Sequence, residues 1–161
     1  MFNLKSEIYL KIIFLFSLIA LISAYFIEYV LGYQPCNLCL IERIPYGLSI
    51  ILTSLILILK KNEKFFIVLL MVTFVFSFAI SLYHLGIEQG VFDESTVCAA
   101  KDFSENITKE DLLEQLSRRT ISCKDVTFRI FGLSLTTINI VISLLFIITL
   151  SKIYTKYEKK K

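Results

Sequence analysis

The chain has 161 residues, 56% of them hydrophobic and 19% charged, with a mean hydropathy of +0.72. That is too apolar for a water-facing globule of this size, and a net charge of +3, from 17 Lys and Arg against 14 Asp and Glu, gives no reason to expect nucleic acid as a partner. A spanning helix takes about 20 residues, so roughly half of the chain must lie in lipid, within one integral membrane domain covering residues 1–161.

Four apolar runs contain no Asp, Glu, Lys or Arg: Ile12 to Ile27, Ile44 to Leu59, Phe65 to Leu85 and Ile130 to Leu150. The last two reach spanning length unaided. The first gains length from Ile8 to Leu10, with Lys11 snorkelling to the headgroups; the second gains it by starting near Cys39, with Glu42 and Arg43 at the interface. The expected spans are about 8–29, 42–60, 65–85 and 130–150. A cleaved signal peptide is the competing reading of the first run, but the run outlasts an ordinary apolar h-region and Ile22-Ser23-Ala24 is a poor cleavage site. The expected fold is an all-α membrane protein: a four-transmembrane-helix bundle with a short first outer loop and a long second outer loop, 86–129.

Basic residues in short flanks stay on the cytoplasmic side. Lys5 and Lys11 precede the first run, Lys60, Lys61 and Lys64 fill the connection between the second and third, and Lys152, Lys156, Lys159, Lys160 and Lys161 follow the fourth, ten on one side. The long loop opposite carries nine acidic residues against six basic ones. Both termini are therefore expected in the cytoplasm. All four cysteines then lie on the outer side, where disulfides form and persist. Within the long loop, Thr108 and Asp111 are a plausible capping pair, and Leu112, Leu113 and Leu116 share one face. Lys109 to Arg119 reads as a short amphipathic helix, either on the membrane surface or as a solvated loop helix. Asn106-Ile107-Thr108 spells a glycosylation sequon, a triplet common by chance.

Cys36-Asn37-Leu38-Cys39 is a C-x-x-C pair at the head of the second helix, preceded by Pro35. Unpaired N–H groups and the positive dipole end favour a thiolate there, so at least one of these sulfurs is expected to have a lowered pKa. Arg43, four residues after Cys39, adds a cation that favours negative charge on sulfur or on a bound electron acceptor. Cys98 and Cys123 bracket 24 residues of the long loop, a separation that permits a bridge without proving one. Three readings stand: a second redox pair that exchanges with a soluble protein, a structural bridge contributing on the order of 3 kcal/mol, or a four-cysteine zinc site. Against zinc, the second pair lacks the short spacing of such sites and thiolates on the oxidising side oxidise, so no metal is expected. Two pairs on one membrane face suit a relay that passes a disulfide through mixed intermediates. The C-x-x-C pair, at helix depth, is positioned for a lipid-soluble oxidant, a requirement that a membrane quinone meets.

Gln34-Pro35-Cys36-Asn37-Leu38-Cys39-Leu40-Ile41-Glu42-Arg43, then Tyr83-His84-Leu85-Gly86-Ile87-Glu88-Gln89-Gly90, the two loop cysteines and Phe131-Gly132-Leu133-Ser134 together resemble the bacterial disulfide bond formation protein B (DsbB) family from about Tyr25 to Leu145. The resemblance implies an oxidoreductase of the bacterial inner membrane that reoxidises a periplasmic DsbA-like thiol oxidase and delivers electrons to quinone, either ubiquinone or menaquinone. It implies that Cys98 forms the mixed disulfide with the soluble partner and that Cys123 exchanges with Cys36. Cys39 would face the quinone and Arg43 would hold it. His84 and Glu88, four apart at the outer end of the third helix, would take part in the quinone pocket or its proton traffic, the plainer reading of His84 being an interfacial histidine satisfied by water or backbone. Two rivals are a vitamin-K-epoxide-reductase-like quinone reductase, in which the loop pair precedes the C-x-x-C, and a non-catalytic tetraspan protein with structural or zinc-binding cysteines.

Overall fold

The computed structural model describes residues 4–59, 62–93, 98, 122–124, 128–130 and 132–158. The amphipathic helix and the sequon expected in the long loop lie outside these residues. Helix α1 (Leu4–Tyr29) is followed by a short α2 (Asn37–Ile41), α3 (Arg43–Leu59) and α4 (Glu63–Glu88). After the long loop a two-residue antiparallel pair, β1 (Arg129–Ile130) and β2 (Leu133–Ser134), leads into α5 (Leu135–Glu158). Four of these segments are long and apolar enough to cross a membrane, with α2 and α3 counted as one: Ser6–Tyr29, Asn37–Leu59, Glu63–Glu88 and Leu135–Lys156. The protein is a four-helix membrane bundle.

Local chemistry explains the joints. Pro45 has no N–H to offer the carbonyl of Ile41, so the helical ladder breaks at Glu42, which separates α2 from α3. The helix begins at Asn37, capped by Cys36 and ahead of the expected span, and α5 begins only at Leu135 because the β1–β2 turn occupies the residues before it. That turn uses Gly132 at φ 83°, a left-handed conformation that glycine adopts without Cβ strain. Gly86 serves a different purpose: the Phe92 ring folds back against the end of α4, and a Cβ on residue 86 would stand 2.2 Å from it.

α4 packs along α5 and along α3, and α1 lies against α3. At the end of the bundle that carries the termini the interior is mostly apolar: Leu10, Ile13, Ile56, Ile67, Leu70, Leu150 and Ile153 are all buried, with the polar Ser6 and Glu63 buried at the same end. Phe74 sits above them, its ring 4.8 Å from that of Phe146 and edge-on to it. Toward the cysteine end the interior changes character. Ser77, Ser81 and His84 on α4, Tyr46 and Ser49 on α3, and Thr136, Asn139 and Ser143 on α5 are buried as well. Among the described residues no buried side-chain nitrogen or oxygen lacks a hydrogen-bond partner, as a bilayer interior without water demands.

Candidate functional site

The site begins at the start of α2. Cys36 is the N-cap, with extended backbone (φ −70°, ψ 167°), and its Sγ accepts the N–H of Cys39 at 3.3 Å. A sulfur thus takes the place usually filled by a Ser or Asp oxygen, satisfying one of the orphan donors of the first turn. The fold of that turn brings the two sulfurs to 2.7 Å, within reach of closing a disulfide. Cys36 is buried and Cys39 half-buried, both in the dithiol form. The hydrogen bond from the Cys39 sulfur is the largest influence on the Cys36 thiol, burial works against it, and His84 adds a second bond and a charge; together they pull Cys36 down from 9.0 to about 5. Cys36 is therefore the sulfur of the pair disposed to ionise.

His84, 2% exposed, connects this pair to the polar interior. Its Nε2 stands 3.5 Å from Cys36 Sγ and its Nδ1 stands 2.9 Å from Glu42 Oε1 and 3.2 Å from Thr136 Oγ1. Thr136 donates its one hydroxyl proton to Glu88 Oε1 at 2.6 Å, so toward His84 it can only accept. Both neighbours of Nδ1 are then acceptors, which places a proton on Nδ1 and directs Nε2 at the sulfur. Glu42 is fixed in turn by Asn139, whose Nδ2 donates to Glu42 Oε2 at 3.2 Å and to Ser81 at 2.8 Å. The other end of that amide accepts from Tyr46 Oη. Deeper still, Ser143 donates to Ser77 at 3.1 Å.

Arg43 lies at the junction of α1 and α3. Its Nη1 pairs with Glu28 Oε2, the two side chains being 14% and 20% exposed, and its guanidinium lies over the Tyr25 ring, 5.0 Å from the centroid. Two α1 residues thus hold it.

Cys98 and Cys123 are joined in a disulfide, with Cα atoms 5.5 Å apart. Both are buried in one cluster with Cys36, Leu38 and Ile87, against which Cys39 packs, so all four cysteines meet at the same end of the bundle. A cavity of about 350 Å³ opens beside them between α1, α3 and α5. Cys36, Cys39, Arg43, His84, Glu88 and Cys123 line its polar end, and Phe16, Ile19, Ala20, Ile138 and Ile142 are among its apolar walls. All the residues singled out from the sequence except Cys98 therefore face one cavity, with Cys98 bonded to a lining residue.

Glu28, Glu42, Tyr46, Thr136 and Asn139 were not among them. A signal was present: Glu42, Tyr46, Ser49 and Thr53 recur at i, i+4, i+7 and i+11, as do Ser77, Ser81, His84 and Glu88, and Thr136, Asn139 and Ser143 recur at i, i+3 and i+7. Polar residues at core spacing inside apolar runs mark the buried faces of three helices. Glu28 carried no such signal, because its partner is on another helix.

Two comparisons with known proteins agree with this arrangement. Residues 6–152 match the family described as Disulfide bond formation protein DsbB. The chain is also 31% identical over 147 residues to a protein of Rickettsia prowazekii (strain Madrid E) described as uncharacterized protein RP370, an alignment covering 89% of this chain and 86% of the relative. A match over nearly the whole bundle, with both cysteine pairs inside it, makes this chain a multi-pass membrane member of the DsbB family of disulfide bond formation proteins.

Proposed function

We propose that this protein is a protein-dithiol:quinone oxidoreductase of the bacterial inner membrane, reoxidising a DsbA-like periplasmic thiol oxidase by disulfide exchange and passing the electrons to membrane quinone. The observation that carries the reading is the convergence of a closed Cys98–Cys123 disulfide and a Cys36–Cys39 dithiol on one cavity with apolar helical walls. The lysine-rich flanks support cytoplasmic termini and periplasmic cysteines.

The exchange balances in four displacements. A thiolate of the soluble partner attacks Cys98, its bond to Cys123 breaks, and Cys123 leaves as a thiolate. The partner's second thiolate displaces Cys98, and the partner departs oxidised, its two protons released to water. Cys123 then attacks Cys36 of the closed inner disulfide and Cys39 leaves as a thiolate. Finally Cys98 displaces Cys36, restoring the outer disulfide and leaving two electrons on the inner pair. Burial of Cys36 in one cluster with Cys98 and Cys123 supports the third and fourth steps.

The cavity suits a quinone: its volume takes a substituted six-membered ring, its walls are apolar, and its polar end presents a cation and an imidazole. When bound, the quinone supplies the two-electron sink, taking up two protons as it is reduced. Ubiquinone and menaquinone both meet that description. Cys39 faces the cavity and releases its electron pair as the inner disulfide recloses. Arg43, held by Glu28 and Tyr25, offers its N–H donors to a ligand oxygen. His84 holds a proton at Nε2 beside Cys36. Glu88, joined to His84 through Thr136, extends that proton path to the end of α4.

The test is to supply purified protein with a reduced DsbA-like substrate and a quinone analogue and follow quinone absorbance. Cys39→Ser should abolish reduction, and reduction at the wild-type rate would overturn the assignment of the inner pair.

A further inference from the structure

In the dithiol form, Cys36 Sγ, Cys39 Sγ and His84 Nε2 all lie within 4.8 Å of one another, with Cys36 and His84 buried and Cys39 half-buried. These are two soft donors and one borderline donor, the set that a d¹⁰ cation prefers. The Cys36 Sγ to His84 Nε2 distance of 3.5 Å is already close to the separation of about 3.6 Å that two ligands bound at roughly 2.3 and 2.1 Å in a tetrahedron would show. Only the sulfurs, at 2.7 Å, must part by about 1 Å, which rotation of the half-buried Cys39 side chain provides.

The surroundings of His84 favour the same chemistry. Glu42 and Thr136 both accept from Nδ1, so when the proton at Nε2 leaves, the imidazole presents a lone pair there, facing the sulfurs. A carboxylate behind a ligating histidine orients the ring and raises its basicity, and here that carboxylate is itself anchored by Asn139. Charge agrees as well. Two thiolates at helix depth are costly in a low dielectric, and a divalent cation between them neutralises the cluster.

We propose that the reduced Cys36–Cys39 pair and His84 form a three-ligand site for a thiophilic divalent cation, Zn²⁺ in the first instance, with one coordination position left to water. Loading transfers no electrons: one cation displaces the proton of the Cys39 thiol and the proton at His84 Nε2, Cys36 enters as the thiolate, and two S–Zn bonds and one N–Zn bond form. The disulfide form offers no thiolate and does not bind. A loaded site holds the pair reduced and closes it to exchange, so the cation acts as a redox-conditional inhibitor that a chelator reverses. This donor set differs from the four-cysteine zinc site considered from the sequence, since Cys98 and Cys123 are bonded to each other.

The experiment uses full-length protein in detergent with Cys98→Ser and Cys123→Ser, so that only the inner pair can bind. After anaerobic reduction and removal of the reductant, Zn²⁺ is titrated in competition with a chromophoric chelator. One ion per chain is expected, with both thiols protected from alkylation and no binding after oxidation. Glu42→Gln should weaken binding by about 10-fold or more and His84→Ala further still. Failure of the reduced protein to retain zinc, or affinity unchanged in His84→Ala, overturns the proposal. X-ray absorption of the zinc-loaded protein with His84 and Glu42 intact does not depend on how those variants fold: two sulfurs and one imidazole support the site, and a shell without imidazole overturns it. No thiol substrate or quinone enters the measurement, so its outcome is independent of the redox reading.

Discussion

The two halves of the bundle use the same helices and the same core spacing for opposite purposes. At the end bearing the termini, Leu10, Ile13, Ile56, Ile67, Leu70 and Leu150 meet without a polar atom among their side chains. In lipid such contacts gain little from the hydrophobic effect, since acyl chains are as apolar as leucine, and they hold by close packing. At the cysteine end, Glu42, His84, Thr136, Asn139 and Ser81 meet through hydrogen bonds that cross between helices. That half sets the rotation of each helix about its axis, because one misplaced donor leaves another group unpaired in a medium without water. The lesson is that the dry half supplies packing, while the polar half supplies register and, with it, the alignment of Cys36 on His84.

That contrast breaks most sharply in the dry half. Phe74→Ala removes a fully buried ring between Tyr46 and Phe146 and should cost about 3–5 kcal/mol in detergent-denaturant unfolding, with the alkylation pH profile of Cys36 unchanged. A shifted profile would show that the halves are not separable. Next comes Glu42→Leu, which strips an acceptor from both His84 and Asn139 and should cost about 1–3 kcal/mol while also loosening the Cys36–His84 contact.

The chemistry sharpens the same comparison. With Cys36 held near 5, protonation at lower pH removes the nucleophile, so its alkylation should be flat from pH 8 to about pH 6 and should fall below about pH 5. His84→Ala deletes a bond and a charge that lower this value, so the midpoint should move upward; an unmoved midpoint would deny His84 that influence. Under the proposed function, Arg43→Ala should weaken apparent quinone affinity more than it slows exchange with a DsbA-like protein, and the reverse order would remove Arg43 from the proposed quinone site. The smallest effect belongs to Ser143→Ala, which deletes one hydrogen bond to Ser77 between helices and should cost about 0.6 kcal/mol with no change at the sulfurs.

Much of the site was legible because its chemistry is local. A C-x-x-C at a helix start needs only four consecutive residues to bring its sulfurs together, and Pro35 before it with Arg43 after it are read along the same strand of sequence. What escaped depends on pairing between helices. Arg43 was expected to favour negative charge on sulfur or on a bound electron acceptor; it lines the same cavity as Cys39, but its partners Glu28 and Tyr25 come from α1 and were not foreseen. Glu42 was expected at the interface with Arg43. It is buried, 8% exposed, and its carboxylate faces His84 and Asn139. The sequence does not state which acid will neutralise which base, because that choice belongs to the rotation of one helix against another.

By itself, then, the sequence determined a four-helix membrane protein with two cysteine pairs, because hydropathy and length are properties of single segments that lipid reads one at a time. Only the tertiary structure decided that both pairs meet at one cavity, that His84 presents Nε2 to Cys36, and that Glu28 rather than solvent answers Arg43. The Arg43–Glu28 and His84–Cys36 contacts join residues 15 and 48 positions apart, and the two cysteine pairs are farther apart still. They depend on helix packing angles and depths that no local pattern encodes, and they are held by hydrogen bonds that in lipid have no solvent alternative.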